Sequence, residues 1–360
     1  MTKKTVAILY GGRSVEHGVS VNSAKNIFDF LDRNAFDAIP IGISKSGKWF
    51  RTNGVNKNME EGIPLGLILD AVEGGLCILG TQEKLPIDII FPVLHGTDGE
   101  DGSIQGMIKA LDIPMVGTGV LGSAVSMNKI VSKKLLKEAN ISVTKFLTIS
   151  YDQKDSITYS EIAKELGTPF MLKSASLGSS VGVSKVKNEE DFKKAIQDSF
   201  SYDQEVLAEE FIKGREIECA ILGNNPAEAS FPGEIVISSK YEFYTFEAKY
   251  VDGEAVRIDV PAKVSEEIAA TIRQLSLDAY RALHCEDFAR VDLFVTEDGK
   301  TYVNEINTIP GFTNSSMYPM MWKDRGLDFT PLITRLINLG FERYQNNQRI
   351  ERDFQSALKF

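Results

Sequence analysis

With 360 residues, 43% of them apolar and 25% charged, the chain has the composition of a folded globular protein and more length than one hydrophobic core usually serves, so two or three domains are expected. A formal charge of -10 excludes the broad basic surface that a nucleic-acid backbone would need. The cysteines (Cys77, Cys219, Cys285) and histidines (His17, His95, His284) are scattered, which argues against a disulfide framework or a zinc centre, and no apolar run is long enough for a signal-peptide core or a membrane span, so a soluble cytoplasmic protein is expected.

The chain opens as an α/β unit. Residues 5–10 read as a buried strand, Gly11-Gly12 as a turn, and about 23–31 as a helix with Ser20 and Asn22 as caps before it. Residues 87–94 form a second strand that runs into a polar, glycine-rich loop from His95 to Gly102. A helical pattern then continues through Leu111, and 113–116 reads as the last strand of a first domain. Residues 127–139 form a helix carrying Lys129, Lys133, Lys134 and Lys137, and for all but Lys129 the spacing predicts a solvated face. Mixed signals follow at 170–173, 191–199 and 205–212. From about Gly214 antiparallel-looking strands alternate with helices such as 266–283, an aromatic stretch at 241–250 interrupts them, and a last helix is expected at about 329–342. These signals divide the chain into 1–123, 124–213 and 214–360.

The strongest chemical signal lies at 289–307, where two β-patterned runs flank Asp298-Gly299. A turn centred on that pair sets Asp292 opposite Glu305 and Arg290 opposite Asn307, with all four side chains on one face. Facing carboxylates repel and ask for a cation. With Asn307 as a third oxygen donor and no sulfur or imidazole nearby, the set suits a hard ion, magnesium before calcium, holding nucleotide phosphates, and Arg290 would stabilise negative charge developing beside it.

A second signal is the glycine- and serine-rich turn from Ser174 to Gly182, which exposes backbone N–H groups that can wrap an anion. The ordinary P-loop pattern is absent, and the Gly-x-Gly-x-x-Gly match at 117–122 leads into a lysine-rich helix rather than a dinucleotide fold. Lys129 and Lys173 are candidates to neutralise phosphates, and Glu209 and Glu216 to hydrogen-bond a base and a ribose.

Taken together and in order, Gly11-Gly12-Arg13-Ser14-Val15-Glu16-His17, Leu94-His95-Gly96 with Gly99-Glu100-Asp101-Gly102, Lys173 with Gly178-Ser179-Ser180-Val181-Gly182, Glu247-Ala248-Lys249-Tyr250, and Asn304-Glu305-Ile306-Asn307-Thr308 with Pro310-Gly311 resemble the D-alanyl-D-alanine ligases, over nearly the whole chain. The resemblance implies a three-domain ATP-grasp fold of α/β class with α+β elements and a Rossmann-like N-terminal domain. It also implies a ligase for peptidoglycan and cell-wall synthesis that makes a D-alanyl phosphate from ATP, using two magnesium ions, with manganese as a substitute. Small-molecule substrates and a homodimer are expected, with no nucleic acid and no membrane.

Matched position by position, Lys129, Lys173, Ser180, Glu209, Ile212, Glu216 and Lys249 resemble the nucleotide contacts, and Asp292, Glu305 and Asn307 the metal ligands. Glu16 resembles the residue that holds the first substrate's ammonium. Glu16, Ser179 and Tyr250 resemble a hydrogen-bonded trio tying the N-terminal domain to the phosphate loop and to a mobile ω-loop that includes the 241–250 stretch. Arg290 and the Gly311 backbone match the oxyanion site, His95 lies near the first substrate's carboxylate, and Ser316 and Met317 fall where the second carboxylate binds. Gly18, Ser174 and Phe246 depart from the commoner family pattern, which puts the geometry near Glu16 and the flexibility of the phosphate loop in question. Ligases that accept D-lactate or D-serine, and a non-catalytic nucleotide-binding module, are the rival readings. Tyr250 favours an amine nucleophile over D-lactate, and the presence of all the proposed metal ligands disfavours the module.

Overall fold

The structure, a computed structural model, describes residues 2–179, 181–238 and 256–351. The apolar run at the N-terminus becomes β1 (Lys4–Gly11), which is buried from Val6 onward and pairs in parallel with β2 (Phe36–Ile43) and β6 (Ile89–Pro92). Strands β3 (Trp49–Arg51), β4 (Ile63–Ile68) and β5 (Gly75–Ile78) extend this sheet antiparallel, in the order β5-β4-β3-β2-β1-β6.

Between β1 and β2 lies α1 (His17–Phe30), which starts six residues earlier than its apolar periodicity predicts. Ser20, expected as a cap, sits inside the helix and fully buried, accepting from the Gly11 N–H at 2.7 Å and donating to the Val93 carbonyl. It joins the ends of β1 and β6, so a polar residue that looks like a helix start is a core stitch. Residues 113–116 form no strand and make one bridge, Met115 to Ile90. A short α2 (Ser103–Ala110) and α3 (Val120–Met127) lead to α4 (Lys129–Glu138), whose start is capped by the Asn128 side chain accepting from the Ile130 and Val131 N–H groups.

The second sheet is antiparallel, with β7 (Phe146–Ser150), β10 (Glu205–Glu210), β8 (Phe170–Ser174) and β9 (Val183–Val186) in that order. Helices α5 (Tyr159–Leu166) and α6 (Glu189–Ser199) place Ile162, Phe192 and Ile196 in the core beneath it. The third sheet has the order β14-β13-β11-β15-β16, from β11 (Gly214–Leu222), β13 (Gly233–Ile237), β14 (Val256–Asp259), β15 (Phe288–Thr296) and β16 (Thr301–Asn307), with the short β12 (Glu228–Ala229) pairing β11. Helix α7 (Glu266–Ala282) covers one face of it. Leu136 of α4 and the nearby Ile141 pack into this third core, so α4 reaches across from the chain segment of the second sheet.

After α8 (Met317–Asp324), α9 (Phe329–Asn347) returns to the first sheet, where Leu332, Ile333, Leu336 and Ile337 join a core shared with Ile8, Phe91 and Phe288. Polar contacts reinforce this return. Arg343 on α9 donates to the carbonyls of Met115 and Gly117 at 2.8 and 2.6 Å and to the Asp287 carboxylate at 3.0 Å, and Asp287 accepts from the Gly117 N–H at 2.8 Å and from Asn224 at 2.9 Å. Asp287 is fully buried, so removing its cation strands a charge. Arg343→Ala should therefore cost about 3–5 kcal/mol of unfolding free energy by chemical denaturation, and a loss under about 1 kcal/mol, the range of an exposed pair, would show that Arg343 is no staple.

Candidate functional site

The site grows from the β15–β16 hairpin. Arg290 faces Asn307 and Asp292 faces Glu305, as the Asp-Gly turn predicts. The route to that register is different. Val295 pairs with Thr301 and Leu293 with Val303, and the Thr296 N–H bonds the Lys300 carbonyl at 2.9 Å, so the loop has three residues with Gly299 at φ 81°. A bulge between Asp292 and Leu293 then restores the expected pairing, and Asn304 is the extra residue. Its side chain enters the cleft, where the Lys173 ammonium donates to it at 3.2 Å.

Cations balance the facing acids. Arg290 donates to both oxygens of Asp292 at 2.7 Å and lies 2.9 Å from Glu218 on β11, and Asn307 donates to Asp292 at 3.0 Å. Burial works against the Arg290 charge, but Asp292 and Glu218 outweigh it and hold the guanidinium protonated far above its ordinary range. Lys129, at the start of α4, lies 3.3 Å from Glu305 and donates to the Leu177 carbonyl at 2.6 Å, linking hairpin to phosphate loop.

Lys173 on β8 and Glu209 on β10 meet at 2.6 Å. On the far side of Glu209 is Lys133, which is 1% exposed and 2.5 Å away. Lys134 and Lys137 are exposed, as expected of a solvated face, but Lys133 is turned inward on the side of α4 that packs against β10. These residues enclose a cavity of about 390 Å³ between the second and third sheets, also lined by Ile212, Glu216, Phe211, Gly178 and Ser179. A volume of that size suits a small organic ligand.

The N-terminal segment reaches the loop that lines one end of the cavity. Glu16 sits at the start of α1, its carbonyl accepting the Ser20 N–H, and its side chain accepts from the Ser179 hydroxyl. Gly178 lies close by: a Cβ at that position would come within 2.8 Å of the Glu16 carboxylate and push that side chain aside. Ser174, a departure from the family pattern, is buried and anchors the loop's first residue by donating to the Ser199 carbonyl at 2.9 Å. Beside Glu16 lies His95, buried, with its ring 3.3 Å from the Ser23 hydroxyl; burial lowers its pKa against the pull of Glu16. Glu100 spans the junction, accepting from the Gly96 N–H at 2.8 Å and from the Ile309 N–H at 3.1 Å.

Gly311 and Ser316 lie together past β16, where Ser316 accepts from the Thr313 N–H at 3.0 Å at the start of α8. The Met317 side chain does not face the cleft; it is buried in the large core, so only its backbone, at the helix start, is placed to meet a ligand. Ser180, Lys249, Tyr250 and the 241–250 stretch with Phe246 lie outside the described residues. Among the described residues no three His, Cys, Asp or Glu side chains converge as a metal cage. The donors present are oxygens only, two carboxylates and an amide, the chemistry of a hard ion that completes its shell with phosphate and water.

Family models for the N-terminus and the C-terminus of D-ala D-ala ligase match residues 5–118 and 135–338. The chain belongs to the D-alanine–D-alanine ligase family. The D-alanine–D-alanine ligase of Oceanobacillus iheyensis is 44% identical over 97% of this chain and 98% of its own. The solved D-alanine–D-alanine ligase from Coxiella burnetii superposes with a TM-score of 0.86 at 36% identity over 97% of each chain. The VanG D-Ala:D-Ser ligase from Enterococcus faecalis gives the same TM-score and identity, covering 94% of this chain and 100% of that one. The α/β architecture of three sheets is thus the ATP-grasp fold of the ligase family.

Four residues of this ligase site escape sequence reasoning: Lys133, Glu218, Asn304 and Glu100. The first three depend on helix facing, neighbouring-strand register and a bulge. Glu100 stands in a motif with the family's spacing, yet its role as a bridge appears only when 309 is brought beside 96. Burial, reinforced by Glu16, raises its pKa to about 8 although both N–H groups favour the anion. Between the ordinary 4.5 and about 8 the folded state therefore binds the proton that the unfolded chain has released. The stabilisation is complete below 4.5 and is lost as pH rises to about 8. Glu100→Gln should flatten the fall in unfolding free energy across that window, and an unaltered slope would contradict the assignment.

Proposed function

We propose that the protein joins two D-alanines, using ATP, to give D-alanyl-D-alanine for peptidoglycan synthesis in the cytoplasm. The reading rests on one observation: the loop residues Gly178 and Ser179 and the facing acids with their cations line a single cavity, and Glu16 of the N-terminal segment hydrogen-bonds that loop through Ser179. In this proposal the base lies toward Phe211, Ile212 and Glu216 and the phosphates toward Lys129 and Lys173, with Ser180 and Lys249 as the further contacts that the family resemblance implies. Asp292, Glu305 and Asn307 would hold two magnesium ions, which when bound screen the phosphate charge.

Glu16 pairs with the ammonium of the first D-alanine and turns its carboxylate toward the γ-phosphorus. Phosphoryl transfer then yields D-alanyl phosphate and ADP, a step that asks the protein for position and charge rather than for covalent chemistry. The neutral amine of the second D-alanine, its carboxylate at Ser316 and the Met317 backbone, attacks the carbonyl carbon. Arg290 and the Gly311 N–H face the oxyanion until inorganic phosphate leaves, and Tyr250 with Glu16 and Ser179 orients the amine. Glu218 steadies Arg290 from the neighbouring strand, so that the guanidinium stays fixed as charge develops.

The likeness to the VanG ligase is consistent with D-serine as the alternative acceptor. Incubation with ATP, magnesium and D-alanine, alone and with D-serine or D-lactate, should release phosphate only when D-alanine is present, with D-alanyl-D-alanine as the main product by mass spectrometry. A dominant mixed product would move the assignment to the D-serine or D-lactate ligases. Asp292→Asn should raise the magnesium concentration for half-maximal rate at least about 10-fold, and an unchanged requirement would remove the hairpin as the metal site.

A further inference from the structure

Lys133 has no place in the reaction just described, yet it is among the most buried residues of the chain. Its ammonium lies 2.5 Å from one oxygen of Glu209 and donates to the Thr144 hydroxyl at 3.0 Å, and that hydroxyl donates in turn to the same Glu209 oxygen. The other Glu209 oxygen meets Lys173 at 2.6 Å. Lys173 and Glu209 line the cavity, whereas Lys133 stands behind them, one helical turn beyond Lys129 on the same face of α4.

A glutamate shared with Lys173 alone would form a neutral pair, and the cavity would offer little net charge to a phosphate at that point. Two lysines on one glutamate leave a net charge of about +1, and Lys173 is the member that faces the cavity. A fold seeking stability alone would do as well with an apolar side chain at 133, since burying an ion pair costs about what its attraction returns.

We propose that Lys133 is a positioning residue for the nucleotide: it holds Glu209 from behind and supplies the counter-charge that leaves Lys173 free to face phosphate. The inference rests on the ATP site proposed above. Burial alone would raise the Glu209 pKa, but the two lysines overcome it and hold the carboxyl at about 2. Burial also pulls Lys173 down, and Glu209 more than restores it. Burial lowers the pKa of Lys133 itself, with Glu209 pulling the other way; geometry sets both lysines at hydrogen-bond distance of one carboxylate, with Thr144 as the fourth partner.

The test compares Lys133→Met, Glu209→Gln and the double variant in the full-length enzyme, reading calorimetric affinity for magnesium ADP, the KM values for ATP and D-alanine, and the melting temperature. Lys133→Met should weaken ADP binding and raise the KM for ATP about 10- to 100-fold, with the KM for D-alanine within about 2-fold. In the double variant Lys173 no longer faces an uncompensated carboxylate, so adding Lys133→Met to Glu209→Gln should cost little further affinity. The double variant removes the fully buried Lys133–Glu209 pair together and leaves Lys173 as the one remaining cation of the three groups, at the cavity wall beside Asn304, so it provides the reading if Lys133→Met alone does not fold. A lower melting temperature with unchanged nucleotide affinity, or fully additive losses in the double variant, would overturn the proposal. Failure of the unaltered enzyme to bind ADP would overturn the ATP site as well.

Discussion

Facing carboxylates on adjacent strands repel, and the site is organised around making one such pair tolerable. Asp292 and Glu305 are held opposite each other by the β15–β16 ladder, and no adjustment within the hairpin can separate them without losing pairing. Relief comes from Arg290 two residues along the same strand, Asn307 across the ladder, and Lys129 from the start of α4. Because Lys129 also bonds the Leu177 carbonyl, the same contact that calms the hairpin ties it to the phosphate loop. The cleft between the second and third sheets is thus bounded by electrostatic contacts as well as by apolar packing.

The opposite arrangement lies a few residues away. Glu209 sits between Lys133 and Lys173, an anion between two cations, where the hairpin sets anions among cations. Groups this buried would neutralise or move if left alone, and each has an oppositely charged partner at hydrogen-bond distance that opposes this. The cavity wall therefore carries alternating positive and negative side chains. Little reorganisation is asked of it when charge shifts during reaction.

Much of this was visible in the residues, sometimes by a route the structure does not follow. The turn rule placed Asp292 opposite Glu305, but only because the Asn304 bulge offsets the extra loop residue; without it Asp292 would face Asn304. Ser20 and Lys133 misled for a shared reason. A serine before an apolar stripe and a lysine on a helix are surface residues by default, and only tertiary neighbours can satisfy them inside. Residues 113–116 had strand composition but found a single bridge, since composition supplies no partner edge. Met317, expected at the second carboxylate, opens α8 with its side chain following its hydrophobicity into the core.

The sequence by itself determined the family and the order of the parts, because residue type, alternation and turn composition are local properties: an all-oxygen acid pair with an arginine, a glycine- and serine-rich loop, and a family pattern from end to end. Tertiary structure alone decided which charges are shared. Glu16 meets Ser179 across 163 positions and Lys173 meets Asn304 across 131, and a Coulomb interaction that falls off within a few ångströms of water is settled by final placement in space.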